Sequence, residues 1–479
     1  MLGISRDVVL LITNIFSDII VLYFIVGNGV YTALMLMSFV TIWLYQKRIG
    51  YAGLQEVRES PVTPPVTIIV PAFNEERSII LTVESLMRLD YPEKEIIVVD
   101  DGSTDQTLLR LIEHFQLIQM DLIYRQRLQA NPPMAFYYNP HVPMLTVVTK
   151  PNGGKADALN VGINMARSPY FCTVDADCIL EKDSLLRLMY PVIKSPVNTV
   201  LSAGIIRILN GCVVNDGQVT EIRLPSRPLE RFQVIEYLRS FLFGRTGWNL
   251  LNATFIASGA FCIFHRETAI AANGFSADTV TEDIDIVCCI HRNLRAGKRK
   301  YRMSFTTDPV CWTAAPYNLK LLGRQRRRWQ LGLIQTVMKH NSMLFSFRYG
   351  AVGLLSMPFQ TFVEAFGCLV EAGGYILIPV SFLLGLTPLY LFLLFILLAF
   401  VYGALLSVGG VLLEELTYRR YPKMGDLLRL LPYAALENIG YRQLVVLFRV
   451  QGCFQYLRGK KAWEVVPHIL RTAEKETLA

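Results

Sequence analysis

The chain has 479 residues, of which 52% are hydrophobic and 18% are charged. Its mean hydropathy is positive, which excludes an ordinary soluble protein and predicts membrane-spanning helices of roughly 20 residues each. The net charge of +8 comes mostly from basic residues beside apolar segments, which favours anionic lipid over nucleic acid as a partner.

The first apolar stretch is almost uncharged apart from Asp18. It is too long for one helix perpendicular to a bilayer and too short for two full spans. We therefore expect an interfacial helix over about 7–18 and one spanning helix over about 20–45. Lys47 and Arg48 follow directly. Because basic loops favour the cytosolic side, the residues after this span are expected in the cytosol.

Four short runs rich in β-branched residues predict strands, at 66–70, 95–99, 146–149 and 170–174. Helical periodicity between them predicts a parallel α/β sheet. In such sheets ligands bind beyond the carboxyl ends of the strands. Asp100 and Asp101 follow the second predicted strand, and Asp175 and Asp177 follow the fourth. We therefore expect both acidic pairs to line one cleft.

These strand-end residues have both structural and functional interpretations. Aspartates at strand ends also form turns and cap helices. Two carboxylates one residue apart, such as Asp175 and Asp177, can hold a hard divalent cation that bridges a diphosphate. Gly153, Gly154 and Lys155 open a predicted helix and offer N–H groups and a cation to phosphate, or else form a simple turn.

Thr281, Glu282 and Asp283 are expected to open a helix that runs to about Ala296, with Thr281 as the N-cap. Acids in a first turn are ordinary partners of the helix dipole. The functional alternative is that Asp283 takes a proton from an acceptor hydroxyl. Burial and the neighbouring acids Glu282 and Asp285 would raise the pKa of Asp283, and the helix terminus would lower it.

The sequence from Gln325 to Trp329 contains three arginines in a row. On a helix, Gln325, Arg328 and Trp329 share one face. A guanidinium donates hydrogen bonds to diphosphate oxygens, and an indole ring provides a surface on which a sugar can stack. The structural alternative is a basic juxtamembrane anchor with an interfacial Trp.

The chain is apolar again over about 352–412, where Thr387 and Pro388 predict a turn between two spanning helices. Basic residues flank the moderately apolar stretch 431–451, which favours an interfacial or re-entrant helix. Glu364 and Glu371 lie seven residues apart and project from one helix face. They either pair with arginines such as Arg442 and Arg449 or line a polar path through the membrane part.

Three further expectations concern the soluble part. The nine cysteines form no C-x-x-C pair and are expected to be reduced and mainly buried. The six histidines lack ligand spacing, so no zinc site is expected. Residues 111–145 and 206–232 have the character of insertions, and Asn215, Asp216 and Gly217 predict a hairpin turn in the second.

Together these motifs resemble the membrane-integrated family 2 glycosyltransferases with a GT-A fold, which include cellulose, hyaluronan and poly-N-acetylglucosamine synthases. The resemblance covers roughly residues 64–335. It rests on seven motifs in this order: Pro71–Glu75, Val99–Ser103, Gly154–Lys155, Asp175–Asp177, Ser258–Ala260, Thr281–Asp283 and Gln325–Trp329.

The resemblance implies a role for each matching position. The residues that would bind a UDP-sugar donor are Asp100, Asp101, Lys155, Asp175, Gln325, Arg326 and Arg328. A Mg²⁺ or Mn²⁺ ion would be held by Asp175 and Asp177. The acceptor would contact Ser258, Gly259, Glu282 and Trp329. Asp283 would be the general base of a single inverting displacement. The metal and the arginines would stabilise the charge that develops on the leaving UDP.

The expected architecture is a cytosolic α/β GT-A (Rossmann-like) domain inserted between transmembrane and interfacial helices. It has five parts: an N-terminal membrane segment (1–48), the glycosyltransferase domain (49–318), amphipathic interfacial helices (319–348), two membrane helices (349–415) and a cytosolic or interfacial C-terminal segment (416–479).

The leading hypothesis is a processive synthase of the bacterial inner membrane that polymerises a UDP-sugar and exports a β-linked polysaccharide. UDP-N-acetylglucosamine is favoured as donor by the resemblance, with UDP-glucose and UDP-glucuronate as alternatives. A second hypothesis is single transfer to a membrane lipid, and a third is a scaffold with a degenerate transferase domain. Because the predicted membrane part is small, the leading hypothesis calls for a homo-oligomer or an export partner subunit.

Overall fold

The computed structural model describes residues 6–48, 51–195, 197–421 and 423–459. The strands are β1 Val66–Ala72, β2 Lys94–Asp100, β3 Ile118–Met120, β4 Ala135–Tyr138, β5 Leu145–Thr149, β6 Tyr170–Val174, β7 Ile179–Leu180, β8 Thr199–Ile208, β9 Val213–Asn215, β10 Gln218–Glu221, β11 Phe261–His265 and β12 Arg302–Thr313. The α-helices are α1 Arg6–Arg48, α2 Tyr51–Glu59, α3 Ile79–Met87, α4 Thr107–Phe115, α5 Lys155–Met165, α6 Ser184–Lys194, α7 Pro228–Leu238, α8 Arg266–Ala271, α9 Glu282–Ala296, α10 Leu319–Lys339, α11 Gly367–Leu383, α12 Leu389–Ile396, α13 Tyr402–Thr417, α14 Met424–Leu436 and α15 Tyr441–Leu457.

The central sheet has the strand order β3-β4-β5-β2-β1-β6-β11-β8-β12-β7. The four strands predicted from sequence, β5, β2, β1 and β6, are neighbours and run parallel, as expected. The sheet is mixed rather than parallel throughout, because β11 lies antiparallel between β6 and β8. Phe261 pairs with Val174, so β11 begins where β6 ends. This register brings the residues before β11 to the same edge as Asp175.

The core of this domain lies on both faces of the sheet. β1 and β2 are almost wholly buried, and Phe171 of β6 stacks on Phe264 of β11 with ring centres 5.3 Å apart. Burial of each such phenylalanine contributes about 1.5–3 kcal/mol. All nine cysteines are free and buried, which confirms the prediction. The β9–β10 hairpin turns at Asp216 and Gly217, both with positive φ, as its Asn-Asp-Gly sequence predicts.

α1 is one continuous helix, so the prediction of a separate interfacial helix over 7–18 is wrong. No proline interrupts its ladder of backbone hydrogen bonds, and an apolar environment penalises a break in that ladder. Among the described residues, Leu10–Lys47 and Leu389–Thr417 are long and apolar enough to cross a membrane. A third span results if the pair Val352–Ala365 and Gly367–Leu383, bent by 41°, counts as one. These helices mark the chain as a membrane protein.

The loop at Thr387 and Pro388 separates α11 from α12, as the sequence predicts. The stretch 431–451, predicted as an interfacial or re-entrant segment, contains parts of two helices, because α14 ends at Leu436 and α15 begins at Tyr441. Gly440, between them, has a φ of +88°, which few other residues adopt. α15 then packs against α10 and α11. The last part of the predicted C-terminal segment, residues 460–479, lies outside the described residues.

Candidate active site

A cleft of about 700 Å³ opens at the carboxyl ends of β1, β2 and β6. It brings together most of the predicted site residues, namely Asp101, Lys155, Asp175, Asp177, Ser258, Gly259, Glu282, Asp283, Gln325, Arg326, Arg328 and Trp329. Asp100 is not among its lining residues. Residues as distant in the chain as Asp101 and Trp329 therefore line one cleft, as the parallel strands predict.

Asp100 has a structural role that its sequence motif did not distinguish from donor binding. It is 2% exposed. One carboxylate oxygen accepts a hydrogen bond from Thr149 Oγ1 at 2.8 Å, and the other accepts from the Ser103 N–H at 3.2 Å. These bonds fix the turn after β2. Turn formation, the structural interpretation of Asp100, therefore agrees with its two hydrogen bonds, while contact with the donor stays a prediction.

Asp101 organises the turn that precedes α5. Its carboxylate accepts hydrogen bonds from the N–H groups of Gly153 at 2.9 Å and Gly154 at 2.8 Å, and it pairs with the buried Lys150. The expectation that both N–H groups point at phosphate is therefore wrong, because Asp101 already accepts from them. The sequence analysis did not predict the role of Lys150. Its one sequence signal is its position directly after the buried strand β5.

Lys155 begins α5 and extends its ammonium group into the cleft. Its Nζ lies 2.6 Å from Asp175 Oδ1 and 3.3 Å from Glu282 Oε1. Burial disfavours the charged ammonium, but the two carboxylates outweigh burial and raise the pKa of Lys155 above its ordinary value. Burial also raises the pKa of Glu282, which Lys155 opposes. The cleft therefore holds a permanent positive charge among carboxylates.

Asp175 and Asp177 follow β6 directly and both line the cleft. The Asp175 side chain is about one-third exposed, and it already stabilises the cation of Lys155. Carboxylate oxygens at such an edge are hard ligands of the kind that Mg²⁺ and Mn²⁺ take. The residues present therefore fit a divalent cation.

Asp283 lies in the first turn of α9 and is held by two backbone N–H groups. Oδ2 accepts from Gly259 at 3.0 Å, and Oδ1 accepts from Ile284 at 2.9 Å. A side chain at Gly259 would place its Cβ 3.2 Å from Asp283 Cβ and 3.3 Å from Lys155 Nζ, so this approach favours glycine. Thr281 occupies the predicted N-cap position, but its hydroxyl does not cap the helix.

Asp285 does not face the cleft, contrary to the expectation that it influences Asp283. It accepts hydrogen bonds from Lys339 Nζ at 3.0 Å and His340 Nε2 at 2.8 Å. Asp285, Cys289 and His340 lie close enough to share a metal ion, a proximity that histidine spacing in the sequence does not reveal. Lys339 already supplies a cation to Asp285, so the cluster joins α9 to the end of α10.

α10 presents Gln325, Arg328 and Trp329 to the cleft, on the face that helical spacing predicts. Arg326 is differently engaged. Its Nη2 lies 2.7 Å from Glu236 Oε2, and its guanidinium carbon lies 4.4 Å from the centre of the Trp329 indole. Arg326 therefore pairs with Glu236 and lies over the Trp329 ring, while its contact with a diphosphate stays a prediction.

The cleft continues from the transferase domain into the space between the apolar helices. There its lining includes Tyr31, Glu364, Glu371, Arg442 and Arg449. Arg449 lies 3.3 Å from Glu364, and Arg442 lies 3.4 Å from Glu371. The two glutamates therefore pair with these arginines, as one interpretation predicts, and they also line the cavity. That they line the path of a polysaccharide stays a prediction.

Sequence reasoning missed the segment between α7 and β11. A π-helix, Arg239–Arg245, and a 3-10 helix, Thr246–Leu251, place Arg245 and Trp248 in the cleft wall. Burial lowers the pKa of Arg245 to about 10, and the nearby Asp283 opposes this shift. No motif signal marks these residues, because their position depends on how the segment packs between domain and helices.

Two family descriptions match the chain: Glycosyl transferase family 2 over residues 67–131 and Glycosyl transferase family group 2 over residues 170–406. The poly-beta-1,6-N-acetyl-D-glucosamine synthase of Staphylococcus aureus strain COL is 28% identical over 267 residues, and that of Staphylococcus epidermidis is 27% identical over 267 residues. Each match covers 56% of this chain and 54% of the relative, so the chain spans about half the length of the curated relatives it matches.

A mannosyltransferase from Pyrobaculum calidifontis, solved in complex with GDP-Man and Mn²⁺, is similar over 87% of this chain and 99% of its own, at 19% identity and a TM-score of 0.46. The family matches include β2, β6, β8, β11 and β12 of the mixed sheet and the helix that bears Gln325 and Trp329. They agree with the motifs that led to the prediction from sequence. The chain belongs to the family 2 glycosyltransferases and has their GT-A fold.

Proposed function

We propose that the protein is an inverting, processive glycosyltransferase that polymerises a UDP-sugar into a β-linked polysaccharide and exports it. UDP-N-acetylglucosamine is the favoured donor, because the curated relatives at 27–28% identity are poly-beta-1,6-N-acetyl-D-glucosamine synthases. The catalytic domain would face the cytosol and the apolar helices would cross the inner membrane. The observation that carries the proposal is the single cleft that runs from Asp175 to Glu371.

In this proposal the donor end of the cleft binds UDP-sugar through the diphosphate. Lys155, Gln325 and Arg328 supply the donors and positive charge that diphosphate oxygens accept. Asp175 and Asp177 would hold Mg²⁺ or Mn²⁺, which when bound supplies positive charge to the leaving UDP. Without such a cation the two carboxylates and the diphosphate would repel each other.

The transfer step uses Asp283 as the base. The acceptor hydroxyl oxygen forms a bond to the anomeric carbon while the bond from that carbon to the UDP oxygen breaks, and the hydroxyl proton passes to Asp283. The N–H groups of Gly259 and Ile284 hold the carboxylate in place while leaving lone pairs for the proton. Attack opposite the leaving group inverts the anomeric centre and gives the β linkage.

The acceptor end supports a chain rather than a single small molecule. Trp329 offers a stacking surface in the same cleft as Asp283. Beyond it the cavity passes Trp248 and Phe359 and reaches the polar pairs of Glu364 and Glu371. Aromatic faces alternating with polar groups suit a sugar polymer, whose rings are apolar on their faces and polar at their edges.

The purified chain in lipid nanodiscs should be incubated with Mg²⁺ and each of three radiolabelled donors: UDP-N-acetylglucosamine, UDP-glucose and UDP-glucuronate. We expect one donor to give a product of many sugars, sized by gel filtration and sensitive to a hydrolase of matching linkage. A single labelled sugar that extracts with lipid would favour transfer to a lipid acceptor. Absence of any labelled product with every donor would contradict both.

A further inference from the structure

The segment from Arg239 to Leu251 carries polar groups that the proposed chemistry does not use. Arg245 and Trp248 lie three residues apart in it, and both line the cleft. The first half, Arg239–Arg245, is π-helical. Such turns are rare and occur frequently at functional sites.

Arg245 is a cation with one buried nitrogen, Nη1, that has no hydrogen-bond partner among the described residues. Its guanidinium carbon lies 3.8 Å from the centre of the Phe241 ring. The other arginines in this half of the cleft, in contrast, are ion-paired with carboxylates: Arg239 with Glu437, Arg326 with Glu236, Arg442 with Glu371 and Arg449 with Glu364.

Trp248 lies farther along the cleft and has the same property. It is 5% exposed, and no described residue accepts from its indole Nε1. Its ring packs against Phe359 with ring centres 5.7 Å apart. Both Arg245 and Trp248 line the same cleft as Asp283 and Trp329.

Both groups can only donate hydrogen bonds, so the ligand atoms they fit are acceptors. A buried donor without a partner costs free energy, and a ligand oxygen would remove that cost. The sugar of the proposed donor, N-acetylglucosamine, is neutral. Its hydroxyl, ring or acetamido oxygens can accept hydrogen bonds from both donors.

We propose that Arg245 and Trp248 form a second acceptor subsite, which binds the sugar next to the one being extended. This assignment rests on the proposed function, because it requires an acceptor that is a chain. The subsite holds the growing chain between additions by hydrogen bonds to oxygens of its penultimate neutral sugar. An acceptor of one sugar does not reach it.

The test compares acceptor lengths in the full-length protein. Wild type, Arg245→Gln and the exposed control Arg299→Gln receive UDP-N-acetylglucosamine with β-linked N-acetylglucosamine oligosaccharides of one, two or four sugars. We expect Arg245→Gln to lose about 10-fold or more in kcat/KM for the two longer acceptors, as for loss of a charged hydrogen bond. Its UDP affinity and its transfer to the single sugar should match those of wild type and Arg299→Gln.

An equal loss for all acceptor lengths, or weaker UDP binding by a folded Arg245→Gln protein, would overturn the subsite. Unchanged elongation by that variant would overturn it as well while leaving the proposed function intact. A wild-type protein that elongates none of the oligosaccharides would overturn the proposed function and the subsite together. If Arg245→Gln does not fold, Trp248→Phe, which keeps a ring and removes the N–H, must show the same length-dependent loss.

Discussion

Three acidic residues in the first turn of α9 have different surroundings. Glu282 is buried beside Lys155, Asp283 accepts from two backbone N–H groups in the cleft, and Asp285 faces Lys339 on another side of the helix. Successive residues of a helix point in directions about 100° apart, so neighbours in sequence meet different environments. This places the proposed base function on Asp283.

Asp283→Asn tests that function. The amide cannot take the proton of the acceptor hydroxyl, so turnover should fall on the order of 10²–10⁴-fold. UDP affinity, measured by calorimetry, should stay close to that of wild type. Asp216→Asn in the exposed β9–β10 turn is the matched control and should keep full activity. A joint loss of UDP affinity, stability and turnover would instead make Asp283 a structural acid of the helix terminus.

Asp175 and Asp177 carry the prediction of metal dependence. Excess EDTA should abolish sugar transfer, and added Mg²⁺ or Mn²⁺ should restore it, because carboxylates and diphosphate repel without a cation. Binding of UDP should weaken in EDTA for the same reason, which can be followed independently of turnover. Full activity in chelator would mean that Lys155 and Arg328 neutralise the donor end without a metal ion.

At the scale of elements, one network joins α7, α10 and α15 behind the acceptor platform. Glu236 of α7 accepts from Arg326 of α10 at 2.7 Å and from the Tyr441 hydroxyl of α15 at 2.7 Å. Arg326 in turn lies over the Trp329 indole. A buried cation held by a partly exposed carboxylate fixes the ring more firmly than a solvated side chain would, because the cation has few alternative rotamers.

This network predicts that Glu236→Gln and Arg326→Gln have the same phenotype. Each should raise the KM for an oligosaccharide acceptor and destabilise the fold by about 1–3 kcal/mol, because each leaves a buried partner unpaired. UDP affinity should not change in either variant. Steady-state kinetics and thermal melting check both effects, with Glu113→Gln on the exposed face of α4 as control. If UDP binding weakens in Arg326→Gln but not in Glu236→Gln, Arg326 contacts the donor directly.

At the scale of the whole molecule, two polar layers cross the apolar helices at the far end of the cleft. In one, Arg442 of α15 pairs with Glu371 of α11, which also accepts from the Tyr23 hydroxyl of α1 at 3.0 Å. In the other, Arg449 pairs with Glu364, which also accepts from Tyr31. Each layer therefore ties three helices together while it lines the proposed polymer path.

Paired substitutions separate these two roles. Glu371→Gln with Arg442→Gln removes the ion pair but keeps polar groups in the wall, whereas Glu371→Leu with Arg442→Leu removes both. Neither leaves a lone buried charge. We expect the Gln pair to make long product and the Leu pair to make only short oligomers while still hydrolysing UDP-sugar. Equal product lengths from the two, measured on sizing columns, would show that the layer only holds helices together.

The strands β1, β2, β5 and β6, the hairpin turn and the cleft location followed from sequence, because each depends on local patterns: β-branched runs, turn residues and strand-end acids. The face of α10 followed from helical spacing. The position of β11 could not be predicted from sequence. Its antiparallel pairing with β6 joins two strands that are far apart in the chain, and no local pattern indicates such a pairing. The continuity of α1 was also missed, because apolar helices extend unless a residue breaks them.

By itself the sequence determined the family, the chemistry of the cleft and the membrane character, since these follow from residue types and their order. Only the tertiary structure decided which side chains are available. Asp100 and Arg326 carry the right chemical groups, but Thr149 and Glu236 engage them. Arg245 belongs to no recognisable sequence motif. Packing nevertheless places it in the cleft wall, where its Nη1 has no hydrogen-bond partner among the described residues. Hydrogen-bond partners come from distant segments, and burial makes each partner decisive, because water is not there to replace it.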